Sequence, residues 1–152
     1  MSKLQIVEVT EVELDELAPL FNQYRIFYEQ RSDLRACKEF LLDRIRKSES
    51  TLFLARNSQK EACGFVQLYP VFSSVSLEGF YILNDLFVAP KERKKGTGEA
   101  LLKRAIRFSM DENSKGLALE TAVSNPAQKL YERLGWKKDT EFLHYFRPNK
   151  PL

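Results

Sequence analysis

Arg93-Lys94-Lys95-Gly96-Thr97-Gly98-Glu99 sets three cations and two glycines directly ahead of an amphipathic stretch. An apolar run, Tyr81 to Val88, precedes it and ends at Ala89-Pro90, while Ala100, Leu101, Leu102, Ala105, Ile106 and Met110 follow at helical spacing. The local reading is strand, basic glycine turn, helix. Lacking a Cβ, Gly96 and Gly98 let the backbone turn tightly and approach a ligand, and the first N–H groups of the helix point outward at its positive end. Such a turn holds an anion on backbone amides. No Gly-Lys-Ser/Thr closes the loop as in a P-loop, and Leu101 stands where a dinucleotide fingerprint has its third glycine. The anion therefore belongs to another kind of ligand.

Other chemically capable residues are scattered. Asn84-Asp85 interrupts the apolar run, as a bulge, a functional polar pair or an edge-facing polar step would. Cys37 and Cys63 stand in unrelated contexts and form no metal-type spacing with the single His144, so both read as reduced structural thiols and no metal is expected. His144 itself, between Leu143 and Tyr145, reads as a packed or half-exposed histidine. The net charge of +3 comes from Lys and Arg interleaved with nearly as many acids, which does not describe a nucleic-acid surface. No apolar stretch suits a signal peptide or a membrane span, so a cytoplasmic protein with no membrane or nucleic-acid partner is expected.

The elements that must position these groups fit one domain over residues 1–152. Strand Leu4 to Val9 leads into a helix from about Val12 to Gln30, with Thr10 as its cap and Glu13 three residues on. Leu14, Leu17, Leu20, Phe21, Tyr24, Phe27 and Tyr28 form its expected buried stripe. A second helix is expected over Arg35 to Lys47, with Phe40, Leu41 and Ile45 inward. Strands Thr51 to Arg56 and Ala62 to Pro70 make a hairpin over Asn57-Ser58-Gln59-Lys60, and a long strand covers Ser74 to Val88. After the glycine-turn helix come a strand at Leu117 to Ala122, a helix at Ala127 to Leu134 and a last strand around Phe142 to Arg147. The order β-α-α-β-β-β-α-β-α-β describes an α/β (α+β) protein with a central mixed sheet flanked by helices.

Downstream lies Asn125-Pro126-Ala127-Gln128-Lys129-Leu130-Tyr131-Glu132-Arg133-Leu134-Gly135-Trp136. Arg-x-x-Gly-x-Gly on a strand-to-helix turn, followed some thirty residues later by Asn, Ala, Leu-Tyr-Glu and Gly-aromatic, resembles the GCN5-related N-acetyltransferase (GNAT) family. The two motifs cover about Leu83 to Trp136. The resemblance implies the acyl-CoA N-acyltransferase fold, with the central strand and the next splayed apart around acetyl-CoA. It implies that amides around Lys95 to Glu99, with Gly96, Thr97 and Gly98 between, hold the pyrophosphate. Arg93, Lys94 and Lys95 would balance its charge, and the backbone of Leu86, Phe87 and Val88 would pair with the pantetheine arm. Asn125 would bond the pantetheine amides, although its interval to Tyr131 is one residue shorter than the commonest family pattern.

By the same resemblance Tyr131 donates a proton to the departing CoA thiolate; its ordinary pKa of about 10 keeps a phenol protonated at neutral pH. The acceptor amine, with a lysine-like pKa of about 10.4, must first lose a proton. Asp85 is the first candidate to take it, directly or through water, with Glu120 and Glu78 behind it. Leu83-Asn84-Asp85-Leu86-Phe87-Val88 is similar to the Leu-Glu-Asp-Phe-Phe-Val of polyamine-acetylating relatives, with Asn84 in place of their first acid. An amide of Phe87 or Val88 would stabilise the oxyanion. Phe27, Tyr28, Asp33, Tyr69, Glu78 and Asn84 are the expected acceptor-binding residues, an aromatic and acidic set suited to an amine cation. The expected activity is direct acetyl transfer to a primary amine, a small molecule, polyamine or amino acid in preference to a protein. The alternatives are another acyl-CoA donor or a silent acetyl-CoA-binding module. Family members often pair as homodimers.

Overall fold

A computed structural model describes residues 3–151. The chain divides into two compact units, one ending at Glu120 and the other beginning at Thr121.

The first unit is built on a five-stranded mixed sheet. Strands β1 (Gln5–Glu8), β2 (Thr51–Arg56), β3 (Ala62–Ser73) and β4 (Glu78–Val88) are antiparallel neighbours in that order, and β5 (Leu117–Ala118) pairs with β4 in parallel. Helices α1 (Leu14–Phe27) and α2 (Leu34–Arg46) connect β1 to β2, and α3 (Thr97–Asp111) connects β4 to β5.

Thr10 and Glu13 form the expected capping box, but the turn they cap, Glu11–Glu13, is 3-10, and the α-helix proper starts at Leu14. Asp33 begins α2 by accepting from the Ala36 N–H. Strand β2 carries apolar residues on both faces because helices cover both. Leu52 and Leu54 join Leu17, Leu20, Phe21, Cys37, Leu41, Phe65 and Phe87 under α1 and α2. Phe53, alternating with them, meets Phe108 of α3 at 5.6 Å between ring centroids. Gly64 permits the close approach of α3. A Cβ there would stand 3.0 Å from the Phe87 carbonyl oxygen, 3.1 Å from Leu101 and 3.2 Å from Thr97.

Four expectations are corrected. The α1 stripe is buried only from Leu14 to Phe21; Tyr24 is half-buried, and Phe27 and Tyr28 are 62% and 60% exposed, because the core cluster that α1 packs on extends no further along the helix than Tyr24. Phe40 is likewise 40% exposed. Ser74–Leu77 is the tight turn between β3 and β4 rather than strand. The fourth concerns the end of the chain: β5 stops at Ala118, and Phe142–Arg147 forms no strand, since no partner offers a ladder to its backbone among the described residues.

In the second unit α4 (Gln128–Arg133) ends in a Schellman turn. The Gly135 N–H (φ +107°) donates to Glu132 O and the Trp136 N–H to Tyr131 O. The accompanying apolar contact is the Tyr131 ring against Trp136, edge-on at 5.9 Å. Gly-Trp after Leu-Tyr-Glu-Arg-Leu is therefore a stop signal that also fixes the tyrosine ring.

Candidate active site

Strand β4 is irregular where the polar pair interrupts it. Gln67 pairs with Asp85 but Leu68 pairs with Leu83, so Asn84 is the extra residue of a β-bulge. In a regular strand Asn84 and Asp85 would face opposite sides of the sheet. Here both line a pocket of about 440 Å³, together with Phe21, Tyr24, Arg25, Tyr28, Gln30, Ala36, Cys37, Phe40 and Tyr69.

Asp85 lies at its base, 3% exposed. Its Oδ1 accepts from Tyr24 Oη at 3.0 Å and Asn84 Nδ2 at 2.7 Å, and its Oδ2 accepts from Gln67 Nε2. Burial raises the carboxyl above the ordinary aspartate range, and the three hydrogen bonds oppose that shift without cancelling it. Burial, then the Asp85 charge, also raises both tyrosines: Tyr24, and Tyr69, which is pushed up to about 12. Both phenols thus stay protonated donors. Gln67 is fully buried and its Oε1 has no hydrogen-bond partner among the described residues.

Bulge and register also decide which backbone groups are available. The Ala89 N–H donates to Cys63 O at 2.8 Å, so Ala89, Phe87 and Asp85 turn their polar groups toward β3. Leu86 and Val88, alternating with them, face the opposite edge. There β5 pairs with β4 only at Tyr81 and Ile82, and along Leu83–Val88 no strand occupies that edge among the described residues. Of the two amides expected to face an oxyanion, Val88 is turned to this open edge and Phe87 is not. Arg93 Nε donates to Val88 O at 2.9 Å, and its guanidinium lies over the rings of Phe87 and Phe27 at 5.6 and 5.8 Å.

The loop beyond β4 ends in a helix without a side-chain cap. Gly96 takes the N-cap position at φ +86°, with open space where a Cβ would stand, and Lys94 is also left-handed at φ +61°. The Ala100 N–H bonds back to Gly96 O, one turn into α3. The N–H groups of Thr97, Gly98 and Glu99 therefore precede the helix ladder. The Thr97 side chain is buried against Gly64, so only its backbone can serve a ligand. Lys95 reaches Glu92 at 3.4 Å, and Glu99 is paired with Lys103 at 3.2 Å.

Of the expected acceptor contacts, Tyr28, Tyr69 and Asn84 line the pocket with Asp85. Phe27 packs toward Arg93 and Phe87, Asp33 caps α2, and Glu78 pairs with Ser73 beside the β3–β4 turn; these three do not line it. Sequence reasoning placed Tyr24 in the helix core and passed over Gln67, Arg25 and Gln30. Gln67 carried a readable signal, a polar residue inside the otherwise apolar Phe65-Val66-Leu68 run. Asn125, in the second unit, uses its side chain locally: Oδ1 accepts from the Ala127 N–H at 2.9 Å and Nδ2 donates to Thr121 at 2.8 Å. Cys63 is buried and its thiol is raised by that burial, as befits an inert core residue.

Known proteins resemble this chain in sequence and fold. The chain is 48% identical over 130 residues to an uncharacterized N-acetyltransferase, YhfO, of Bacillus subtilis (strain 168), covering 85% of this chain and 87% of that one. It is 29% identical to a probable acetyltransferase of Haemophilus influenzae, over 85% of this chain and 97% of the other. A crystal structure of a probable acetyltransferase superposes with a TM-score of 0.91 at 39% identity, covering 97% of this chain and 99% of that one. The family model for the Acetyltransferase (GNAT) family begins at Leu14 and ends at Trp136, so the chain belongs to that family and is an N-acetyltransferase.

Proposed function

We propose that the enzyme transfers the acetyl group of acetyl-CoA directly to a primary amine of a small molecule seated in the Asp85 pocket. The observation that carries this reading is a buried carboxylate, raised by its burial, at the base of an aromatic pocket on the same strand as an open backbone edge. Acetyl-CoA supplies an already activated acetyl thioester, so no enzyme nucleophile is required. The residues present suit it. The amides of Thr97, Gly98 and Glu99 would hold its pyrophosphate at the uncapped α3 N-terminus, Gly96 leaves room for close approach, and Lys94 and Lys95 stand alongside.

Asp85 takes the proton of the acceptor ammonium. A raised carboxyl is the better proton acceptor, and the Tyr24, Asn84 and Gln67 bonds fix its orientation. Tyr24 Oη, which both bonds Asp85 and lines the pocket, offers a relay to the nearly sealed carboxylate. The outward Val88 amide is the donor for negative charge developing at the carbonyl oxygen. Tyr131 Oη holds the proton for the leaving sulfur, its ring fixed by Trp136. We place the reaction in the cytoplasm, where the free, buried Cys37 and Cys63 stay reduced.

The test is release of CoA thiol from acetyl-CoA against a panel of small amines, amino acids, polyamines and lysine peptides, with products weighed by mass spectrometry. Acetylation of a small amine, lost in Asp85→Asn, is expected. Turnover confined to peptides, or to another acyl-CoA, would overturn the reading.

A further inference from the structure

The acceptor pocket carries one acid and one cation, Asp85 at its base and Arg25 among its lining residues. Asp85 already receives three hydrogen bonds and is nearly sealed from solvent. It has no capacity to neutralise a second ammonium. The acids that could have drawn in a polycation do not line the pocket: Asp33 caps α2, and Glu78 stands at the start of β4 opposite Ser73. Arg25, by contrast, stands in no ion pair with an acidic side chain among the described residues. A single bond from its Nη1 to Arg31 O at 3.3 Å orients the guanidinium and leaves most of its fork free. Gln30, also in the lining, adds a side-chain amide whose one contact, to Tyr28 O at 3.5 Å, is long for a hydrogen bond. Between the two charged groups the walls are aromatic: Phe21, Tyr24, Tyr28, Phe40 and Tyr69.

We infer that the acceptor is an amine that also bears a carboxylate, an amino acid or close analogue with an apolar or aromatic body, whose carboxylate Arg25 grips with Gln30 beside it. The inference rests on the amine-acetylating reading above. Asp85 and Arg25 then bracket the substrate, each opposite the charge it complements, and the planar fork of arginine matches a carboxylate bidentately. A polyamine would set a second cation against Arg25 and is disfavoured.

The experiment uses matched amines that differ only in the carboxylate, such as phenylalanine with phenethylamine and tyrosine with tyramine. Each is assayed by CoA release with wild type, Arg25→Gln and Arg25→Lys. The carboxylated member is expected to show kcat/KM about 10-fold or more higher, the size of one charge-assisted contact. Arg25→Gln should collapse that ratio toward unity through KM, and Arg25→Lys should restore part of it. A ratio that Arg25→Gln leaves intact, or a wild-type preference for the decarboxylated amines, overturns the inference. Calorimetric titration with N-acetylphenylalanine separates the two readings. Arg25-dependent binding without turnover of any amine would refute acetyl transfer and sustain the carboxylate site. Turnover with Arg25-independent binding would do the reverse, and neither turnover nor binding would refute both.

Discussion

Replacing Asp85 by Asn should abolish catalysis while making the protein more stable. The geometry makes the exchange nearly isosteric. Asp85 Oδ1 takes the Tyr24 and Asn84 bonds, and the new carboxamide oxygen can keep both; the new NH₂ falls where Oδ2 met Gln67. Rotating the Gln67 amide then presents Oε1 to that NH₂ and carries Nε2 to the partnerless position, so one buried polar group of Gln67 stays unsatisfied in either protein. With the unsatisfied group only exchanged, the stabilisation comes from removing a buried charge whose burial outweighs its hydrogen bonds, and should be roughly 1–2 kcal/mol at pH 7. For a chain of 152 residues that is a rise in Tm of roughly 2–8 °C.

The stabilisation should depend on pH in a fixed direction. The folded-state pKa of Asp85 lies above its unfolded value of 3.8, so below that value the carboxyl is protonated in both states and burial carries no charge penalty. As pH rises from 3.8 through the folded pKa the penalty develops, and above it the penalty is constant. Wild type should therefore lose stability relative to Asp85→Asn across that window. Scanning calorimetry of both proteins from pH 3.5 to 8 measures this, and loss of kcat by about 10²-fold or more, the usual contribution of a general base, completes the test. A variant less stable than wild type at pH 7, or one that keeps its kcat, would refute the reasoning.

Tyr24→Phe removes a donor to Asp85 while its ring keeps its contacts with Phe65 and Phe87, so kcat should fall about 10-fold and stability at pH 7 by about 1–2 kcal/mol, the loss of one hydrogen bond to a charged group; a pH–rate profile that does not move would deny Tyr24 a role in tuning the carboxylate. Gly64→Ala should cost about 1–3 kcal/mol by overpacking, since the new methyl meets a backbone carbonyl, and should raise the KM for acetyl-CoA by shifting the start of α3; urea titration and kinetics check both effects. Gly96→Ala has room for its methyl and should lose only about 1 kcal/mol from the left-handed backbone, with Gly96→Asn less affected. Tyr131→Phe should lower kcat without weakening cofactor binding measured by calorimetry, because the ring contact with Trp136 survives.

Local chemistry was legible from the sequence. The capping box at Thr10 and Glu13, the β2–β3 hairpin and the strand-turn-helix around Gly96 depend on residues within a few positions of one another, and they stand where the patterns put them. The extra polar residue in β4 was visible too, with a bulge named as one reading. Its effect on the neighbours was not visible, because a bulge re-aims side chains relative to a partner strand that lies some twenty residues away in sequence. Tyr24 and Gln67 converge on Asp85 from α1 and β3, across 61 and 18 residues, and no spacing rule reports such a meeting. The same limit made Phe27 and Tyr28 look like core. Their helical phase is right, but how far the core extends beneath α1 is set by long-range packing, and it stops at Tyr24. Asp33 and Glu78 carried the right charge for an amine, yet one caps α2 and the other stands at the far end of β4, opposite Ser73, and neither lines the pocket. Residue types and local spacing thus determined the family, the strand-turn-helix around Gly96 and the choice of Asp85 as first candidate acid; tertiary structure decided that this acid is buried and which side chains surround it, because long-range pairing fixes direction and burial.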